Sequence, residues 1–210
     1  VEPATVNVDD SAPGAGGELP RAHGGPPLDA RFKVEVEDFQ VEELLGFEPT
    51  GAGEHAFLRI EKRGANTAWI AVRLARIAGV PPVAVGYAGL KDRHGVALQH
   101  FTVHLGRRPE PDWSPLAAEG ARVLQATRHQ RKLPRGALAG NRFRIVLRAV
   151  DGDVDAARAR LAAIAADGVP NYFGEQRFGR GGGNVEAARA MFGGRRVDRN
   201  PAAGQALHRR

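Results

Sequence analysis

The chain has 210 residues, long enough to bury one full core and part of a second, and it contains no cysteine, which excludes disulfides, thiolate metal sites and cysteine nucleophiles. Thirty Lys and Arg against 24 Asp and Glu leave a net charge of +6, which favours a polyanionic partner, although an Ala- and Gly-rich, arginine-heavy chain also fits a purely compositional origin. No apolar run approaches the roughly 20 residues of a membrane span, and the acidic, Gly/Pro-rich start lacks the order of a signal peptide, so a soluble, cytoplasmic protein is expected.

Residues 1–29 are rich in Pro, Gly and Ala and carry few large apolar side chains, which predicts a flexible N-terminal arm. From Arg31, the alternation of Phe32, Val34 and Val36 with Arg31, Lys33 and Glu35 predicts a half-buried strand, and residues 57–61 predict a second. Asn66 or Thr67 can cap a helix whose stripe is Ile70, Leu74 and Ile77, ended by Gly79 before Pro81 and Pro82. Residues 83–88 and 99–105 read as strands around the polar loop 89–95. Residues 122–128 read as another strand. Residues 141–150 read as one continuous strand, with Phe143, Ile145 and Leu147 packed on one face and Arg142, Arg144 and Arg148 on a basic face. Helices are expected over 153–166 and 184–192, with a loop at 168–183 between them. Strands with interspersed helices, but no strict alternation, imply an α+β fold around a mixed, largely antiparallel sheet.

Two segments carry the chemistry. Lys91-Asp92-Arg93-His94 sets a carboxylate among cations on a loop, where the charges favour its ionised form and it could act as nucleophile or base. A solvated turn is the structural alternative. Residues 171–179 interleave Tyr172, Phe173 and Phe178 with Asn171, Gln176 and Arg177, the side chains that stack on and edge-read an unpaired nucleotide. The same aromatics could simply plug a core. Arg128, Arg131, Lys132 and Arg135 form a run suited to phosphates or to a solvated face. The spacing of His55, His94, His100 and His104 matches no metal-ligand pattern, Glu37, Asp38, Glu42 and Glu43 have no nearby histidine pattern, and 179–183 lack the ending of a phosphate loop; no catalytic metal is expected.

In order and spacing, the motifs 36–43, Gly53-Glu54-His55, 62–67, 86–94, Arg131-Lys132-Leu133, Gly140-Asn141-Arg142-Phe143 and 168–179 resemble the TruD family of tRNA pseudouridine synthases, from about Arg31 to about Asn200. The resemblance implies the pseudouridine synthase catalytic fold over 30–180 and the start of an inserted TruD-type domain over 181–210. It implies isomerisation of uridine to pseudouridine in tRNA, at position 13 in bacterial members, with tRNA as partner and no cofactor or metal; a monomer is expected. Asp92 falls on the catalytic aspartate. Lys33 falls on the basic residue that would pair with it, Glu37 on an acidic motif position, and Asn141 and Phe143 on a Gly-Asn-x-Phe motif. Lys91, Asn171, Tyr172, Gln176 and Arg177 are further RNA-binding candidates by the same resemblance.

Family members continue well past residue 210, and this chain starts at Val1, so a partial chain is expected. The alternatives are a non-catalytic RNA-binding module or an inactive fragment of such an enzyme, and a metal-free hydrolase using Asp92 and His94. The latter is disfavoured because near neighbours on an extended loop tend to point different ways.

Overall fold

The structure, a computed structural model, describes residues 20–172, 178 and 183–194. These belong to two compact units: residues 29–152, and residues 20–28 together with those from 153 onward.

The first unit is built on a six-stranded sheet. Its strands are β2 (Phe39–Leu45), β3 (His55–Arg63), β4 (Val85–Tyr87), β5 (Val96–His104), β6 (Ala121–His129) and β7 (Leu138–Ile145), in the order β6-β3-β5-β2-β7 with β4 beside β5. All pairs are antiparallel except β2 with β5. One edge of β5 is shared: Val96 to Leu98 pair with β2, and Phe101 to Val103 pair with β4. The β4–β5 loop therefore emerges where β2 enters the sheet, and that loop contains Asp92.

Helix α1 (Thr67–Ala78) forms as its sequence predicts. The Asn66 side chain accepts from the Ala68 N–H, and Gly79 ends the helix in the left-handed conformation. Its Ile70, Ala71, Leu74 and Ala75 pack on Ala56, Leu58 and Ile60 of β3 and on Phe101 and Val103 of β5, with Trp113 and Leu116 closing the cluster. Burying each large side chain contributes about 1.5–3 kcal/mol.

Three readings change. β1 (Leu28–Phe32) ends at Lys33, whose φ of 56° breaks the expected alternation through Val36. The segment 39–45 is the strand β2, hidden in the sequence because its inward positions hold Val41 and then a carboxylate, Glu43. The single strand predicted over 141–150 is two: β7 joins the six-stranded sheet, and β8 (Leu147–Gly152) pairs with β1.

Asp38 explains that break. It sits between β1 and β2, accepts from the Val146 N–H through its carbonyl, and takes Arg148 Nε and Nη2 on its carboxylate at 2.7 and 2.8 Å. Because β7 follows β2 while β8 follows β1, the chain must bend where Asp38 sits. Phe143, Ile145 and Leu147 are exposed instead of packed, while Arg142, Arg144 and Arg148 are exposed as expected, Arg142 and Arg148 each with an ion pair, to Glu42 and Asp38.

The Arg148 hydrogen bonds and that of the Glu35 N–H hold the Asp38 carboxyl below its ordinary value, against its burial. A depressed folded value means that this stabilisation is complete above about pH 4 and fades as the pH falls through the folded value. Asp38→Asn is therefore expected to flatten the acid limb of stability, measured by urea unfolding between pH 2.5 and 5.

In the second unit, the Asp153 side chain caps α2 (Val154–Asp167) by accepting from the Ala156 N–H, and α3 (Gly183–Phe192) carries an Arg189–Glu186 pair. His23 Nε2 lies 2.8 Å from the Gly168 carbonyl, and the Asp153 N–H donates to the Pro27 carbonyl. α2 buries none of its residues, and its Val154 and Leu161 are exposed.

Candidate active site

The chain has four lysines among its 30 basic residues, and three of them, Lys33, Lys62 and Lys91, converge on the Asp92 loop. Lys33 Nζ donates to Asp92 Oδ2 at 2.5 Å, with the carboxylate 56% exposed and the lysine 23%. The same ammonium lies 4.0 Å from the centroid of the Phe39 ring and 5.1 Å from that of Phe32. Aromatic faces favour a cation placed this way. Asp92 is thus an oriented carboxylate that remains open to a ligand.

The loop is tied from below. The Lys62 ammonium donates to the Asp92 and Ala65 carbonyls, each at 2.8 Å. Thr67 Oγ1 accepts from the Lys91 N–H at 3.0 Å, and Gln99 Nε2 donates to the Gly89 carbonyl at 2.8 Å. Arg93 Nε donates to the Gly64 carbonyl, and His94 Nε2 lies 3.0 Å from the Lys33 carbonyl. Asp92 and His94 therefore reach the same residue, one its side chain and the other its backbone, because the loop turns at this point instead of running extended. Gly95 leaves no space for a side chain, since an added Cβ would stand 2.8 Å from the Phe39 carbonyl oxygen. Gly95→Ala is expected to displace Phe39 and destabilise the fold by about 1–3 kcal/mol in urea unfolding.

Beneath the loop lies a buried ionic cluster. Lys91 Nζ lies 2.8 Å from Glu43 Oε1, and the His100 backbone N–H donates to Glu43 Oε2 at 2.7 Å. Burial pushes the Glu43 carboxyl up, but the bonds from His100 and Lys91 prevail and hold it below the ordinary carboxylate range. Lys62 is the largest fully buried side chain among the described residues, and desolvation lowers its ammonium from 10.5 to about 8. Neither Glu43 nor Lys62 was singled out from the sequence as a site residue. The available signal was a charge on an inward row: Lys62 continues Ala56, Leu58 and Ile60, and Glu43 follows Val41.

The other predicted residues separate into groups. Asn141 and Phe143 face the site from β7, opposite Glu43 and Val41, and the Phe143 ring is 5.8 Å from Phe39 and 55% exposed. Phe39 thus links Phe143 to the Lys33–Asp92 pair. Glu37 does not reach that pair; it binds Arg63. Asn171 and Tyr172 belong to the second unit and are exposed, as is Phe178, whereas Gln176 and Arg177 lie outside the described residues. Of the basic run, Arg128 donates to the Gly106 and Arg108 carbonyls and Lys132 to that of Val83, while Arg135 stacks 3.8 Å over Tyr87. Those cations serve the fold at least in part.

The pattern of the family described as tRNA pseudouridine synthase D (TruD) matches residues 20–188. The chain belongs to the TruD family. The tRNA pseudouridine synthase D of Methylococcus capsulatus is 59% identical over 185 residues, covering 87% of this chain and 52% of that relative. The enzyme of that name from Xanthomonas campestris strain B100 is 58% identical over 175 residues, covering 83% and 48%. This TruD chain spans about half the length of the curated relatives it matches. A Methanosarcina mazei protein described as a TruD has a crystal structure that superposes with a TM-score of 0.59 at 29% identity, over 72% of this chain and 35% of that one. The α+β architecture and largely antiparallel sheet expected from the sequence agree with that likeness. No helix among the described residues is long and apolar enough to cross a membrane.

Proposed function

We propose that this chain supplies the catalytic part of a tRNA pseudouridine synthase, acting on the uridine at position 13 with Asp92 as the catalytic carboxylate. The observation that carries the reading is the solvent-open Asp92 carboxylate, paired with Lys33 and rimmed by Phe39 and Phe143. In the reaction the C1′–N1 bond of uridine breaks, a C1′–C5 bond forms, and the proton on C5 passes to solvent as N1 gains one. The carboxylate serves either by attacking C1′ or by taking a neighbouring ribose proton. A uridine must leave the helix stack to reach it, and the exposed Phe143 ring offers a stacking surface.

Within this reading Asn141 meets the nucleotide beside Phe143, Lys33 and Lys91 orient the loop, and Asn171, Tyr172, Gln176 and Arg177 contact RNA. Glu37 acts through Arg63. Residues 30–180 form the catalytic domain and 181–210 the start of an inserted domain; residues 1–19 of the expected arm lie outside the described residues. The enzyme works in the cytoplasm as a monomer on tRNA, without cofactor or metal.

The test uses tRNA labelled with tritium at uridine C5. Tritium release to water, mapped to position 13, supports the reading; RNA binding without release favours a non-catalytic RNA-binding module or an inactive fragment of such an enzyme.

A further inference from the structure

Lys33 is one of two non-glycine residues with a positive φ among the described residues. An L-residue gains nothing locally from this conformation, because its Cβ crowds the backbone, so contacts elsewhere must hold it. Its ammonium meets Asp92, but that bond engages the end of a long flexible side chain and leaves the backbone free to choose its state. The contact on the backbone itself is the His94 imidazole, whose Nε2 lies 3.0 Å from the Lys33 carbonyl. A carbonyl only accepts, so Nε2 carries the hydrogen.

We propose that His94 is a positioning residue: by donating Nε2–H to the Lys33 carbonyl it locks the left-handed turn at the end of β1, and that turn delivers the Lys33 ammonium to Asp92. Two segments that are 61 residues apart are thereby joined at two points, carbonyl to imidazole and ammonium to carboxylate. The Arg93 and Gly95 contacts on either side fix the imidazole's own backbone, through the Gly64 carbonyl and through the Gly64 N–H on the Gly95 carbonyl. Both the neutral Nε2–H tautomer and the imidazolium donate in this geometry, so the lock does not depend on the charge of His94.

The structural arm of the test needs no catalysis. Side-chain NMR of the 210-residue protein reads the Lys33 ammonium, whose hydrogens exchange slowly only while Asp92 holds them. His94→Phe, or His94→Leu should the first not fold, is expected to lose that slow-exchanging signal, and His94→Gln, which can still donate to the carbonyl, to keep it. Survival of the signal in the apolar variant, or its loss in His94→Gln, overturns the proposal.

The catalytic arm rests on the synthase reading. In tritium release, His94→Phe is expected to lower kcat about 10- to 100-fold with KM little changed, and to have no further effect when Lys33→Met is already present. Equal losses in both backgrounds overturn the proposal. If the wild-type chain releases no tritium, it is the activity of these 210 residues alone that fails, and the ammonium signal decides the role of His94 by itself.

Discussion

Replacing Asp92 with Asn is expected to lower tritium release from C5-labelled tRNA by about 10³-fold or more, while tRNA affinity stays within a few-fold of wild type. The amide has the shape of the carboxylate and can still accept from Lys33, so geometry is conserved. It cannot form a glycosyl ester at C1′, and it is far too weak a base to take a ribose proton. Either role of the carboxylate is therefore lost by the same change. Stability should move by less than about 1 kcal/mol, because the pair is partly exposed and such pairs contribute little. Retention of the wild-type rate by Asp92→Asn would remove Asp92 from the mechanism.

The second large effect concerns Lys62. Its folded value of about 8 lies below the 10.5 of an unfolded lysine, the reverse of a lysine that gains a partner. Between those values the unfolded chain holds one more proton than the folded one, so stability rises with pH. The penalty for burying the ammonium is fully present below pH 8 and is relieved towards pH 10.5. Roughly 3 kcal/mol is at stake, from about 1.4 kcal/mol per pH unit. Lys62→Met removes this dependence and also deprives the Ala65 and Asp92 carbonyls of their donor, at about 1–3 kcal/mol each. Urea unfolding from pH 7 to 10 should therefore show the wild type gaining on the variant as pH rises. Parallel curves for the two proteins would refute the burial of a charged Lys62.

These two residues also mark the limit of what local sequence can specify. Asp92 could be singled out only through the resemblance of its continuous motif, Gly-Leu-Lys-Asp-Arg-His, to a family pattern; read locally, the same residues also fit a solvated turn. Lys62 lies in a motif too, but its role depends on reaching the Asp92 carbonyl, 30 residues away. Phe143 was legible as an aromatic in Gly-Asn-x-Phe, yet the expectation that it shares a packed face with Ile145 and Leu147 fails, because β7 is an edge strand and β8 joins another sheet.

By itself the sequence determined those features whose physics is local. The period of β3, the Asn66 cap and Gly79 stop of α1, the turn-forming loops and the lack of cysteine chemistry each follow from residues within a few positions of one another. Only the tertiary structure decided that β2 enters parallel to β5, that Asp38 breaks one predicted strand into two, that Lys33 turns left-handed, and that Glu43 and Lys62 are buried beneath Asp92. In each case a local preference, for alternation, for negative φ or for solvated charge, is overruled by partners far along the chain. Those partners' hydrogen bonds and burial exist only once the sheet has assembled.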